Sequence, residues 1–113
     1  MTEQLITFIE NIKSNPKVST FNEAQIKNAV VLPILRRLGW DIENPEEVFP
    51  EYSVEARRID YALRLKNSNH IFLEAKNPGQ DLSNDNHQEQ LLDYSFHQGV
   101  ELATLTNGMT WLF

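Results

Sequence analysis

The sequence contains no cysteine, no long apolar run, and fewer basic than acidic side chains. The absence of cysteine excludes a disulfide framework and a zinc site built on thiolates, and it is compatible with the cytoplasmic location that we predict. The polar start, Met1-Thr2-Glu3-Gln4, lacks the basic and apolar regions of a secretory signal. No apolar stretch approaches the length of a transmembrane helix, so we expect no membrane partner.

The charge balance, 10 basic against 16 acidic residues, gives a net charge of −6. This balance argues against a protein that holds DNA on a broad basic surface. It leaves open a nucleic-acid enzyme whose local site is neutralised by a metal ion. A length of 113 residues with 41% hydrophobic side chains predicts one ordered domain, residues 1–113.

Hydrophobic periodicity predicts the element order α-α-β-β-β-α-β-β. A helical stripe of Leu5, Phe8, Ile9 and Ile12 marks the first helix, and Pro33 is expected to kink or interrupt the second. The stripe of the second helix is predicted to comprise Ile26, Val30, Ile34 and Leu38, with Ala29 and Leu35 alongside. The remaining predictions are a second helix over 22–38, strands near 48–52, 59–63 and 71–76, a helix over 85–97, and strands over 101–106 and 110–113. Asn107-Gly108 is a strong hairpin signal between the last two strands.

Charged residues within two of the predicted strands are the most informative feature. Asp60 lies among apolar residues of one strand, and Glu74 and Lys76 lie two positions apart on the next. Residues i and i+2 of a strand share a face, and half-buried charges are costly unless they are paired. Two carboxylates beside one ammonium form a site for a hard divalent cation next to a phosphate. The alternative is a set of salt bridges on a solvated sheet face.

The motifs from Glu23 onward resemble those of the PD-(D/E)XK nuclease superfamily, and most closely the N-terminal nuclease domain of type I restriction enzyme R subunits. The resemblance depends on the leading helix that carries Glu23 and ends in Leu38-Gly39-Trp40-Asp41, on Arg57-Arg58-Ile59-Asp60-Tyr61, on Glu74-Ala75-Lys76, on Gln90-Leu91-Leu92-Asp93-Tyr94, and on the hairpin over 105–111. Ile59 stands where the superfamily nominally has proline. The resemblance implies an α/β fold of the restriction-endonuclease-like type, with a mixed central sheet flanked by helices, and metal-dependent hydrolysis of DNA.

The resemblance also implies roles for the central residues. Asp60 and Glu74, with the carbonyl of Ala75, would bind Mg²⁺ or Mn²⁺. Lys76 would orient or deprotonate the attacking water, or stabilise charge on the phosphate. Glu23 would be a catalytic carboxylate that supports the metal site.

Glu23 has a second interpretation, since Thr20-Phe21-Asn22-Glu23 fits a capping box with Thr20 as the N-cap. If Asn22 is the N-cap instead, Glu23 is free for the site.

Four further residues are candidates for DNA contact or site support: Gln90, Tyr94, Arg57 and Arg58. Gln90 and Tyr94 lie four apart on one helix face, and they could equally be a surface glutamine and a half-buried core tyrosine. Arg57 and Arg58 could contact phosphate or neutralise acidic neighbours. The histidines, His70, His87 and His97, show no metal-ligand spacing and are predicted to lie on the surface.

The implied partners are DNA, separate specificity and methylase subunits, and a second copy in a homo-dimer. No GxxxxGK[ST] pattern occurs, so ATP would be used only by a motor encoded beyond this stretch. We expect the natural polypeptide to continue past Phe113, which would make this an N-terminal piece. The alternatives are an inactive nuclease fold that binds nucleic acid or partners, a free-standing repair or defence nuclease, and a purely structural domain.

Overall fold

The computed structural model describes residues 2–54, 57–79, 82 and 85–113. The part of the predicted polar segment over 81–86 that precedes the last helix lies mostly outside these residues. In chain order the elements are helix α1 (Thr2–Ser14), a 3-10 helix (Pro16–Thr20), helix α2 (Glu23–Ile26), a π-helical turn (Lys27–Val31), helix α3 (Leu32–Arg37), strands β1 (Val48–Val54), β2 (Arg57–Leu65) and β3 (Ser68–Ala75), helix α4 (Asp85–His97), and strands β4 (Leu102–Thr106) and β5 (Trp111–Leu112).

The five strands form one mixed sheet in the order β1-β2-β3-β4-β5. Neighbouring strands are antiparallel except β3 and β4, which are parallel because helix α4 returns the chain to the same end of the sheet. A mixed α/β fold was predicted, and the sheet confirms that class. The last strand is shorter than predicted, since only Trp111 and Leu112 pair with β4.

Two hydrophobic clusters place helices on both faces of the sheet. One cluster joins residues of the helical segment over 23–37, such as Ile26 and Val30, to Leu63 and Leu73 of the sheet, with α1 packed against it. The other joins Tyr94 of α4 and its neighbour Leu91 to sheet residues that include Phe72. Burial of these side chains, at roughly 25 cal/mol per Å² of apolar surface, holds the layers together.

The second predicted helix is continuous but contains a π-helical turn directly before Pro33. Proline has no backbone N–H and its ring clashes with the carbonyl four residues earlier, so the wider turn accommodates it. Leu32 accordingly donates its N–H to the carbonyl of Lys27, five residues back. Ile26, Val30, Ile34 and Leu35 are buried, as the predicted stripe requires. Ala29 and Leu38 are exposed instead, and Val31, which was not predicted to lie in the stripe, is buried.

Turn chemistry follows the sequence closely. Lys66 and Asn67, with φ of 52° and 64°, form the two-residue link between β2 and β3. Asn107 accepts hydrogen bonds from the N–H groups of Met109 and Thr110, and Gly108 has a φ of 89° in the predicted hairpin. Among the described residues, no helix is long and apolar enough to span a membrane.

Candidate active site

The candidate site lies where strands β2 and β3 separate. Their regular ladder reaches the pair Tyr61 and Leu73. Beyond that pair, backbone N–H groups of the two strands donate to side-chain carboxylates and not to carbonyls of the neighbouring strand. The Ala75 N–H donates to Asp60 Oδ2 at 2.8 Å, and the Asp60 N–H donates to Glu74 Oε1 at 3.1 Å. These reciprocal bonds fix both carboxylates at the opening between the strands.

Lys76 completes the predicted trio at the end of β3. Its backbone N–H donates to the carbonyl of Thr106 at 2.8 Å, which ties the residue to β4. Its ammonium lies 3.8 Å from Glu74 Oε2, and the Lys76 side chain is 19% exposed. The structure therefore brings Asp60, Glu74 and Lys76 together, as their strand positions predicted.

Lys27 is a site residue that the sequence did not reveal. It lies at the start of the π-helical turn, and its Nζ is 3.4 Å from Asp60 Oδ1 and 3.6 Å from Glu51 Oε1. Burial lowers the pKa of Lys27, but the carboxylates of Asp60 and Glu51 outweigh that effect and leave it raised. Arg58 Nε in turn lies 2.9 Å from Glu51 Oε2. A lysine on a helix and a glutamate on a strand carry no spacing signal, so only the folded chain shows this contact.

The charged groups form one connected row whose signs alternate except at one point. In order, the row is Arg58, Glu51, Lys27, Asp60, Glu74 and Lys76. The two like-charged neighbours are Asp60 and Glu74. Burial raises the pKa of Glu74 to about 7, and the adjacent Asp60 carboxylate adds to the rise. A divalent cation between the two carboxylates would restore the alternation and relieve this repulsion.

The donor set fits a hard cation better than zinc. No three His, Cys, Asp or Glu side chains converge to hold a metal within the described part of the chain. Asp60 and Glu74 would therefore supply two oxygen ligands, with the remainder from a backbone carbonyl, water and substrate phosphate. Mg²⁺ binds in this way, through one or two carboxylates and several waters.

A cavity of about 290 Å³ adjoins Glu74 and Lys76. Its other lining residues include all four side chains predicted for DNA contact or site support: Arg57, Arg58, Gln90 and Tyr94. The two arginines are exposed to solvent. Of the trio, Glu74 and Lys76 line the cavity, so an anionic ligand that binds there would lie next to these two residues.

Gln90 and Tyr94 occupy different environments within that cavity wall. Tyr94 is 5% exposed and stacks on Phe72, with ring centroids 5.5 Å apart. Gln90 is exposed, and its backbone carbonyl accepts a hydrogen bond from the guanidinium of Arg57 at 3.4 Å. The Arg57 guanidinium lies 6.0 Å from the centre of the Tyr94 ring. Tyr94 is thus a core residue at the cavity floor, and Arg57 links helix α4 to strand β2.

Glu23 is the remaining predicted site residue, and its catalytic role stays a prediction. Asn22 is the N-cap of α2 and forms a capping box with Gln25, so of the two interpretations of this segment the one with Asn22 as the N-cap is confirmed. Glu23 is the exposed first residue of the helix, one turn before Lys27. No ion pair joins it to another described residue. Of the histidines predicted to lie on the surface, His97 is exposed and pairs with Asp93, and His70 on β3 is half-buried. The side chain of His87 lies outside the described part.

Comparison with known proteins identifies a relative of this chain. No family model and no solved structure matches the chain. The chain is 30% identical over 122 residues to the type II restriction enzyme and methyltransferase RM.Eco57I of Escherichia coli. The match covers 93% of this chain and 12% of that protein. The domain is therefore related in sequence to a segment of a restriction-modification protein.

Proposed function

We propose that this chain is the metal-dependent DNA endonuclease domain of a restriction system, with a restriction-endonuclease-like fold. The observation that carries the proposal is the convergence of Asp60, Glu74 and Lys76 at the opening between β2 and β3. The similarity to a restriction enzyme also supports it, because the match covers 93% of this chain and so extends well beyond these three residues.

The proposed chemistry assigns each residue a task. Asp60, Glu74 and the Ala75 carbonyl would hold Mg²⁺ or Mn²⁺, which when bound activates a water and offsets charge on the scissile phosphate. Lys76 holds its ammonium beside Glu74, where it can orient the attacking water or stabilise the negative charge of the phosphate. Arg57 and Arg58 line the cavity and are exposed to solvent, so they can contact the flanking phosphates.

The experiment is a Mn²⁺ titration by calorimetry followed by a plasmid-nicking assay, with Asp60→Asn as the control. We expect saturable binding and nicking in the parent protein and neither in the variant. Metal binding without cleavage would favour the inactive, DNA-binding or partner-binding alternative. Absence of metal binding in the parent, and also in Lys27→Gln, would favour the structural alternative, in which the charges form only salt bridges.

The setting within a restriction system is a second question. The motif resemblance indicates a type I R subunit, with specificity and methylase subunits as partners and a motor that consumes ATP. The relative RM.Eco57I carries restriction and methyltransferase functions in its name, which favours a type II setting. A cleavage assay of the complete protein with and without ATP distinguishes the type I from the type II setting, since only a motor-driven type I enzyme requires ATP. Double-strand cleavage by the domain alone, beyond the nicking expected above, would instead indicate a free-standing nuclease that acts as a homo-dimer.

A further inference from the structure

Lys27 is shared between two carboxylates on adjacent strands. Its ammonium lies 3.4 Å from Asp60 and 3.6 Å from Glu51, and its side chain is 20% exposed. Asp60 has a similar exposure of 19%. The lysine therefore occupies one oxygen of the carboxylate, Oδ1, while the Ala75 N–H occupies the other, Oδ2.

The position and backbone conformation of Glu51 on β1 favour its contact with Lys27. Glu51 lies between Pro50 and Tyr52, whose partners on β2 are Tyr61 and Ile59, so it stands opposite Asp60. Like charges opposite each other on neighbouring strands destabilise a sheet. Glu51 also has a φ of 54°, a left-handed conformation that residues other than glycine seldom adopt. In this conformation its carboxylate contacts Lys27 and Arg58.

We propose that Lys27 is a positioning residue that serves as the resident counter-cation of Asp60, so that a divalent cation binds in competition with it. The inference rests on the proposed function and concerns how the same site is regulated. Without metal, Lys27 neutralises the charge of Asp60 and keeps the two facing carboxylates, Glu51 and Asp60, from repelling each other. With metal, the positive charge of Lys27 opposes the added cation and sets the concentration at which the site fills.

Loss of the lysine charge should leave Asp60 in place, because the Ala75 N–H still binds its other oxygen. The competing charge would be gone, and the attraction of the site for a cation would rise. Lys27→Gln removes the charge and keeps a hydrogen-bond donor, whereas Lys27→Arg keeps the charge. Lys17→Gln, at an exposed residue of the 3-10 helix, makes the same change in net charge away from the site.

The experiment is a Mn²⁺ titration by calorimetry of the parent protein and these three variants, without DNA. We expect Lys27→Gln to bind Mn²⁺ about tenfold more tightly than the parent, equal to ~1.4 kcal/mol. Lys27→Arg and Lys17→Gln should remain within about twofold of the parent, a shift of less than ~0.5 kcal/mol. Circular dichroism would verify folding, and Lys27→Met would replace Lys27→Gln if that variant does not fold.

Each outcome of these titrations either supports or overturns the proposed role of Lys27. Binding by Lys27→Gln when the parent binds nothing measurable also supports the proposal, because removal of the competitor exposes the site. Unchanged or weaker binding by Lys27→Gln, with normal binding by the parent, overturns the role of Lys27 and leaves the nuclease proposal standing. Absence of binding in both proteins overturns this proposal together with the metal site on which it rests.

Discussion

At the residue scale, Glu74 is subject to opposite demands from folding and from chemistry. A buried carboxylate next to another carboxylate is more stable when protonated, and this raises the pKa of Glu74 to about 7. A metal ligand must be ionised. The metal-ligand role proposed for Glu74 would therefore require a charge that burial beside Asp60 disfavours, and perturbed carboxyl groups of this kind are typical of functional sites.

This conflict predicts a pH dependence of stability. Between its usual pKa of 4.5 and the folded value of about 7, Glu74 is protonated in the folded protein and ionised in the unfolded chain. The folded state then binds more protons, so the free energy of unfolding falls as pH rises through this range and levels off above it. The loss should be roughly 3 kcal/mol, at about 1.36 kcal/mol per pKa unit.

Urea denaturation in metal-free buffer at pH 5, 6, 7 and 8 measures this effect, with Glu74→Gln as the matched variant. Other groups titrate in both proteins, so the informative quantity is the difference between parent and variant. We expect the variant to gain stability relative to the parent as pH rises. A difference that stays constant over the whole range would show that Glu74 does not keep its proton on folding.

At the element scale, the hairpin between β4 and β5 supports the helical segment that carries Lys27. A Cβ added to Gly108 would lie 2.7 Å from Cδ1 of Ile26, and Ile26 is fully buried next to Lys27 in the chain. The absence of a side chain at Gly108 therefore lets the hairpin approach the helix closely. Its φ of 89° is a second reason for glycine there.

A comparison of Gly108→Ala with Gly39→Ala separates the effect of the close approach to Ile26 from the effect of the positive φ. Both glycines have positive φ, but a Cβ at Gly39 would meet nothing within 4 Å. We expect both variants to lose stability through backbone strain, and Gly108→Ala to lose about 1–3 kcal/mol more because it overpacks the core against Ile26. Denaturation midpoints measure the difference. Equal losses would mean that Ile26 moves aside without cost.

At the scale of the whole molecule, the protein has a net charge of −6 and few basic side chains next to the candidate site. The basic side chains that line the cavity are Arg57, Arg58 and Lys76, and Arg58 also pairs with Glu51. Few phosphates can therefore be neutralised at once. Tight DNA binding would have to come from parts of a larger protein or assembly.

This charge distribution predicts weak and salt-sensitive DNA binding by the isolated domain. With about three phosphate contacts, a plot of log K against log salt should have a slope no steeper than about −3. Fluorescence anisotropy with a short duplex between 25 and about 200 mM salt provides the measurement. Nanomolar affinity that persists at physiological salt would contradict the prediction, because three contacts cannot supply it.

The sequence by itself determined the order of the main helices and strands and the trio of charges. Alternation places Glu74 and Lys76 on one face of a strand, and adjacent strands bring Asp60 beside them, so local periodicity was sufficient. The helix predicted over 85–97 coincides with α4, and the Asn107-Gly108 turn forms the predicted hairpin. The signals here are short-range, since they depend on residues within a few positions of one another.

Only the tertiary structure decided how the helix over 23–37 meets the sheet. The π-helical turn before Pro33 was not predicted, because a period taken from the sequence assumes a uniform helix, although the inward-facing residues Ile26, Val30, Ile34 and Leu35 were. It is this packing that brings Lys27 to Asp60, across 33 positions of the chain, and that leaves Glu23 exposed. Contacts between distant segments depend on the whole arrangement of helix on sheet, and no local pattern in the sequence encodes them.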